Sequence, residues 1–362
     1  MRVSDFDFEL LSELIAQHPA EPRDSARLLH VPVNAAFSDL SVRDLPSLLQ
    51  PDDLIVTNDT RVIPARLTGK KESATPTRPN QGGAKIEVTL HKSEGPDIWR
   101  TFTRPAKKLK PNDTIQFAPY FSAVVEKKGD AGEVTLRFNL SGIALLDALR
   151  THGVMPLPPY IKRPHEGKQA DQTSYQTLFA EKDGAVAAPT ASLHYTPELI
   201  QAIKERGVQI VPLTLHVGAG TFLPIKVDDT QDHVMHSEWG EISADAAQQI
   251  NQTKQNGGRV IASGTTSLRL LESATSEDGI VSAFQGETDI FITPGYKFRV
   301  ADLILTNFHL PKSTLFMLVA AFAGLDKMKH AYQHAMDKNY RFYSYGDASL
   351  LELAEISPKK SP

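Results

Sequence analysis

The chain of 362 residues contains no cysteine. That absence removes disulfides, thiol nucleophiles, thiolate-bound zinc and iron–sulfur clusters together. Radical chemistry on S-adenosylmethionine, which needs a thiolate-held cluster, is excluded with them. Long apolar runs are also missing. The most apolar stretch, LFMLVAAFAG (Leu315 to Gly324), is about half the length that spans a bilayer and reads as a buried helix. The opening MRVSDFDFELL is acidic and mixed rather than a basic segment before an apolar one. A cytoplasmic protein with no membrane association is therefore expected. An excess of positive charge is missing too: 39 Lys+Arg against 43 Asp+Glu leave a net charge of −4, so no global field attracts nucleic acid.

The charge is unevenly placed. Residues 64–154 hold 15 Lys+Arg against 9 Asp+Glu, a balance of +6, which leaves −10 for the rest. A basic segment in an acidic chain is either a local polyanion-binding face or a lysine-rich solvated surface. The same segment is patterned as strands. KIEVTLHK, IWRTFTRP, TIQFA, SAVVEKK and EVTLRFN are short runs rich in β-branched and aromatic residues, separated by Gly-Pro, Pro-Asn-Asp and Gly-Asp turns. Five such runs predict a small β-barrel. The stretch KKESATPTRPNQGGAK (Lys70 to Lys85) reads as a mobile loop near its entry.

Elsewhere strands alternate with helices. Thr196 caps a helix with Pro197 at its first position and Gly207 at its stop. Strand VQIVPLTL follows, then a helix capped by Ser243, strand RVIAS, the helix of SLRLLES, strands DIFIT (Asp289 to Thr293) and DLILTNF, and helix TLFMLVAAFAG. This order predicts an α/β fold with a mainly parallel sheet covered on both faces. The expected organisation is a discontinuous α/β core over 1–63 and 155–362 that carries the active site, with an inserted barrel over 64–154.

HVGAGTF (His216 to Phe222) comes directly after a strand and places Gly218 and Gly220 where backbone can approach a ligand closely. His233, His236 and Glu238 follow. A metal needs a further ligand set that the chain does not supply, so acid/base or hydrogen-bonding roles are the better reading, against idle surface histidines. GTTSLR (Gly264 to Arg269) turns a strand into a helix, where Thr265, Thr266 and Ser267 offer either an anion site or simple capping. HLPKST (His309 to Thr314) lacks the spaced glycines of a nucleotide phosphate loop. Arg61 and Arg66 in NDTRVIPARL, the cations of RPAKKLK and those of PLPPYIKR suit phosphate, while a salt bridge from Arg61 to Asp59 is the plainer alternative. AAPTASLHYT and YRFYSYGDASLL read as a small-residue approach and a packed carboxyl-terminal strand.

In order along the chain, SDFDFEL, PAEPRDSARLL, NDTRVIPARL, MPLPPYIKR, GAVAAPTASLHYT, TLHVGAGTF, HSEWGEI, ASGTTSLRLLE, ETDIFITPGYKFRVAD, LTNFHLPKSTLFMLVAAFAG and YRFYSYGDASL resemble the S-adenosylmethionine:tRNA ribosyltransferase-isomerase family of queuosine biosynthesis. Departures are small, at Ser192 and Tyr195, where a glycine and a phenylalanine are usual. The resemblance implies an α/β core with an inserted barrel. It implies transfer and isomerisation of the ribosyl group of S-adenosylmethionine onto 7-aminomethyl-7-deazaguanine at the tRNA wobble position. Epoxyqueuosine forms, adenine and methionine leave, and no metal or flavin beyond the cosubstrate is expected. Under that resemblance His216, His233, His236 and Glu238 supply acid/base catalysis. Gly218, Gly220 and Thr221 hold the cosubstrate, Thr265, Thr266 and Ser267 its carboxylate, and Asp289 or Asp302 its cationic groups. Arg61, Arg66, Arg104, Lys107, Lys108, Lys162, Arg163 and Arg341 are the candidates for tRNA phosphates, and a monomer is expected. An RNA methyltransferase and a non-catalytic RNA-binding protein are the rival readings.

Overall fold

A computed structural model of the protein describes residues 1–72, 83–164, 167, 169–222 and 225–354, without the side chains of 221 and 222. Its core is a nine-stranded sheet in the order Phe284–Thr288, Glu238–Ile242, Gln209–Leu215, Leu54–Asn58, Val260–Ser263, Leu303–Asn307, Ala348–Glu352, Arg27–Val31 and Ser38–Ser41. The parallel part is central. Gln209–Leu215, Leu54–Asn58, Val260–Ser263 and Leu303–Asn307 run side by side in one direction. Beyond it the sheet is mixed: the added pairings are antiparallel except that of Ala348–Glu352 with Arg27–Val31, which is parallel.

Leu54–Asn58, Val260–Ser263 and Leu303–Asn307 are buried along their whole length because both of their faces are covered. Val56, Leu213, Ala262 and Ile304 point into one cluster, with the helices Ala244–Gln255, Thr265–Ser273 and Thr314–Ala323. Ile55, Ile261, Leu303 and Leu305 point into the other, against Leu199 and Ile203 of the helix Pro197–Glu205. The strand period of two thus distributes each strand between two cores. The expected caps form at Thr196 and Ser243, and Ser313 caps a third helix; each accepts a backbone N–H from the first turn of its helix. No described helix is long and apolar enough to cross a membrane.

DIFIT is not a strand. The strand there is Phe284–Thr288, paired antiparallel with Glu238–Ile242. Side chains of the neighbouring helix end it: Ser273 bonds the Thr288 hydroxyl at 2.6 Å, and Arg269 Nε donates to the Ile290 carbonyl at 3.3 Å. These bonds take the place of further ladder pairing.

The barrel is closed and antiparallel, in the order Glu133–Phe138, Ile98–Arg104, Lys85–Ser93, Arg66–Lys71, Thr114–Ala118 and Phe121–Lys128. Arg66–Lys71 is a sixth strand beyond the five expected. Its RLTGKK sequence is polar on the outside, but Leu67 and Gly69 are buried. A Cβ at Gly69 would come within 2.7 Å of the Gln116 carbonyl, so closure of the barrel needs glycine there. The chain enters and leaves the barrel together, with Arg66 and Val154 exchanging both backbone hydrogen bonds.

Phe316 ties the start of the chain to the core. Its ring meets Phe6, Phe8 and Tyr332 at centroid distances of 6.4, 5.0 and 4.7 Å. Phe316→Ala is expected to lose about 3–5 kcal/mol of stability, read as a lower urea midpoint; an unchanged midpoint would show that the aromatic cluster does not hold the amino-terminal segment.

Candidate functional site

The four parallel strands end at Leu215, Asn58, Ser263 and Asn307, all on one edge of the sheet. Open α/β sheets bind ligands at this carboxyl edge. His216, the GTTS turn and His309 directly follow three of these strand ends.

His216 is held from three sides. Its Nδ1 is 2.7 Å from the Thr60 hydroxyl, its backbone N–H donates to the Trp239 carbonyl at 2.9 Å, and its ring stacks on Trp239 at 5.2 Å. On the other side sits Gly184, where a Cβ would lie 2.8 Å from ring atoms of His216. Burial, with Lys182 nearby, pulls the His216 pKa down to about 4 and keeps the ring neutral near pH 7.

The loop glycines seat two further imidazoles. A Cβ at Gly220 would lie 2.6 Å from the His236 ring, and one at Gly218 would lie 3.0 Å from Nδ1 and Cε1 of His91. The close approach that Gly218 and Gly220 permit is therefore taken up by side chains of the protein itself. The side chain of Thr221 lies outside the described residues. Glu238 is buried at 6 % exposure and accepts the Gly218 N–H at 3.1 Å and Arg269 Nη1 at 2.5 Å. Its carboxylate thus acts as a strut between loop and helix. His233 lies against Phe291 at 5.2 Å, and burial followed by proximity to His236 lowers its pKa.

His91, Arg269, Thr60, Trp239 and Gly184 were not legible as site residues. His91 sits on the barrel strand Lys85–Ser93, where the pairing slips between Leu90 and Lys92. This bulge breaks the inside–outside alternation and buries His91 beside Leu90. Nothing in VTLHK signals a bulge.

A second cluster surrounds the GTTS turn. Gly264, at φ 95°, starts the helix Thr265–Ser273. The Ser267 hydroxyl donates to the Ser263 carbonyl at 2.9 Å, whereas the buried Thr266 hydroxyl has no partner among the described residues. Ser192 answers its departure from the family pattern by hydrogen bonding Ser263 at 3.1 Å, and the Tyr195 ring packs edge-on against Phe179. Asn307 reaches His194 Nε2 at 3.2 Å and Thr190 at 3.2 Å. His309 bonds the Thr306 hydroxyl at 3.1 Å and is fully enclosed. Asp289 is exposed just past the end of Phe284–Thr288. Asp302 is set apart from these groups: it lies at the amino end of Leu303–Asn307, paired with Lys254 at 2.8 Å and accepting the Val260 N–H.

The cations divide into two groups. Arg104, Lys107 and Lys108 are exposed at the end of the barrel strands opposite His91. Arg66 and Lys162 border a hollow of about 310 Å³ with Pro158 and Pro159. Arg61 is exposed and donates to the Ala180 carbonyl at 2.8 Å, not to Asp59. Arg163 is turned inward onto Asp171 at 3.1 Å, with both side chains at 6 % exposure or less, and Arg341 pairs with Asp347 at 3.2 Å.

A carboxyl sheet edge lined with imidazoles, one of them (His91) contributed by the barrel and set against His236, is the arrangement of an enzyme of the α/β class. A sequence profile described as "Queuosine biosynthesis protein" matches residues 3–351. The S-adenosylmethionine:tRNA ribosyltransferase-isomerase of Rhodospirillum rubrum is 57 % identical over 355 residues, covering 98 % of this chain and 99 % of that one. The protein of the same name from Parvibaculum lavamentivorans is 58 % identical over 352 residues, covering 97 % and 99 %. The crystal structure of S-adenosylmethionine tRNA ribosyltransferase from Thermotoga maritima aligns at TM-score 0.54 and 34 % identity, covering 96 % of this chain and 99 % of that one. The chain belongs to the S-adenosylmethionine:tRNA ribosyltransferase-isomerase family of queuosine biosynthesis.

Burial lowers the pKa of His91, His194 and His216 to about 4 and of His309 to about 3. An unfolded histidine titrates near 6.5, so between pH 4 and 6.5 the unfolded chain binds more protons and stability rises with pH. Unfolding at pH 5.5 should take up about three to four protons on these rings, against almost none at pH 8. Calorimetry in buffers of different ionisation enthalpy reads this directly; equal uptake at both pH values would mean that the rings are charged in the folded state.

Proposed function

We propose that the protein transfers and isomerises the ribosyl group of S-adenosylmethionine onto 7-aminomethyl-7-deazaguanine at the wobble position of tRNA, giving epoxyqueuosine, adenine and methionine. The observation that carries this reading is the set of glycine-seated imidazoles at the carboxyl edge, in a chain of this family.

The reaction needs groups that take up and release protons. The sulfonium acidifies the adjacent 5′ carbon, so a base must take a proton there. Adenine must gain a proton to leave, and the attacking amine must arrive uncharged. His216 suits the base, since burial keeps its ring neutral and Thr60 fixes its orientation. His236, exposed on its outer side, suits delivery of a proton to adenine, with His233 close by. Glu238 supports both by holding the loop through Gly218. That loop, through Gly220 and Thr221, is proposed to border the cosubstrate by way of the imidazoles it seats. The Thr265, Thr266 and Ser267 turn is proposed to receive the methionine carboxylate, supported by the unpartnered Thr266 hydroxyl and a helix start with no side-chain cap. Asp289 is proposed to face the methionine ammonium. The reading needs no resident cofactor, and a cytoplasmic monomer is its expected form.

Phosphate contacts are proposed for Arg61, Arg66, Arg104, Lys107, Lys108 and Lys162. Arg163 and Arg341 already have carboxylate partners, and their proposed part is to shape the face the RNA meets.

Incubation of the protein with S-adenosylmethionine and tRNA carrying the 7-aminomethyl-7-deazaguanine base is expected to release adenine and methionine in step with a modified wobble nucleotide. His216→Ala and His236→Ala should each lower that rate about 10²- to 10⁴-fold while remaining folded. Release of S-adenosylhomocysteine would instead identify a methyltransferase, and no turnover by folded wild-type protein would favour a binding module.

Neutralising Arg104, Lys107 and Lys108 together should flatten the dependence of log affinity for tRNA on log salt by roughly 0.7–0.9 per lost phosphate contact. An unchanged slope in filter binding would remove the far end of the barrel from the RNA interface.

A further inference from the structure

Besides its basic outer face, the barrel reaches into the core site. The bulge at His91 turns that imidazole out of the barrel's alternation and onto the core. There the ring is 6 % exposed. Phe102 lies behind it at 4.9 Å, the Gly218 Cα closes one side, and the His236 ring stands against it nearly perpendicular at 5.3 Å. The adjacent residue clamps the same seam: Lys92 Nζ meets Glu287 at 2.7 Å, and Glu287 also accepts the Ser237 hydroxyl at 2.5 Å. Two consecutive barrel residues therefore bear on the segment that carries His236.

We propose that His91 is a positioning residue for His236, a wedge from the barrel that fixes the His236 ring against the Gly218–Gly220 loop, so that the core site is complete only with the barrel docked. The seat is narrow. With a Cβ at Gly218 only 3.0 Å away from the ring, a five-membered imidazole fits where a larger ring would press on the loop backbone. Burial keeps His91 uncharged, with a pKa of about 4, so it stands beside His236 without opposing a proton on it. Its Nδ1 has no partner among the described residues. An orphaned buried nitrogen costs stability, so His91 is not explained as a device for holding the fold together.

This inference rests on the proposed reaction for its kinetic arm and is independent of it for its spectroscopic arm. His91→Ala and Gly218→Ala are each expected to lower kcat about 10- to 100-fold, with KM for S-adenosylmethionine and tRNA within about threefold of wild type. The double variant should fall by less than the two losses combined, because removal of the imidazole takes away two of the three contacts on the new Cβ and leaves the His91 carbonyl at 3.0 Å. In the nucleotide-free protein, the His236 imidazole resonances should shift and sharpen in His91→Ala as the neighbouring ring current and restraint disappear. A folded His91→Ala protein with wild-type kcat, strictly additive losses, or unmoved His236 resonances would each overturn the proposal. Should wild-type protein itself release no adenine, the reaction reading falls, and the resonances of His236 still decide the role of His91.

Discussion

The buried ion pair between Glu238 and Arg269 is the constraint on which the site depends. Glu238 lies on a strand of the antiparallel extension, and its carboxylate takes the Gly218 N–H as well as Arg269 Nη1. Arg269 lies on the helix Thr265–Ser273 and also holds the Ile290 carbonyl. One pair thereby joins the glycine loop, the sheet edge, the helix and the segment following Phe284–Thr288. Both side chains are at 7 % exposure or less, so removing either would strand a buried charge at a cost of about 3–5 kcal/mol. Such a pair contributes little net stability. What it supplies is a single position for the loop that seats the imidazoles.

Given that position, glycine does the rest by omission. Gly184, Gly218 and Gly220 each lack the Cβ that would strike the rings of His216, His91 and His236 respectively. Close packing against backbone desolvates His91 and His216, lowers their pKa and leaves them neutral. The same omission thus places all three rings and, for His91 and His216, keeps them uncharged. Thr60 and Trp239 add orientation to His216.

The architecture separates tasks by distance along the barrel strands. His91 and Lys92 occupy the end that meets the core, and Arg104, Lys107 and Lys108 the opposite end. An RNA that touched both would lie along the barrel.

The α/β alternation, the helix caps at Thr196 and Ser243, and the barrel-like patterning were legible because each depends on neighbours within a few residues. The motif order was legible too, and it pointed to the family. His216, His236 and Glu238 could be singled out because they follow a strand and a glycine loop. Three things could not be read along the chain. The strand Arg66–Lys71 carries too few apolar residues to announce itself and owes its existence to closure of the barrel. The end of Phe284–Thr288 is decided by Ser273 and Arg269, side chains of another element. His91 enters the site through a bulge, a register slip between strands that exists only once they are paired. The sequence by itself determined which local elements form and which chemical groups stand near the strand ends. Only the tertiary structure decided which imidazole each glycine seats, because a missing Cβ has meaning only against the side chain that fills its place.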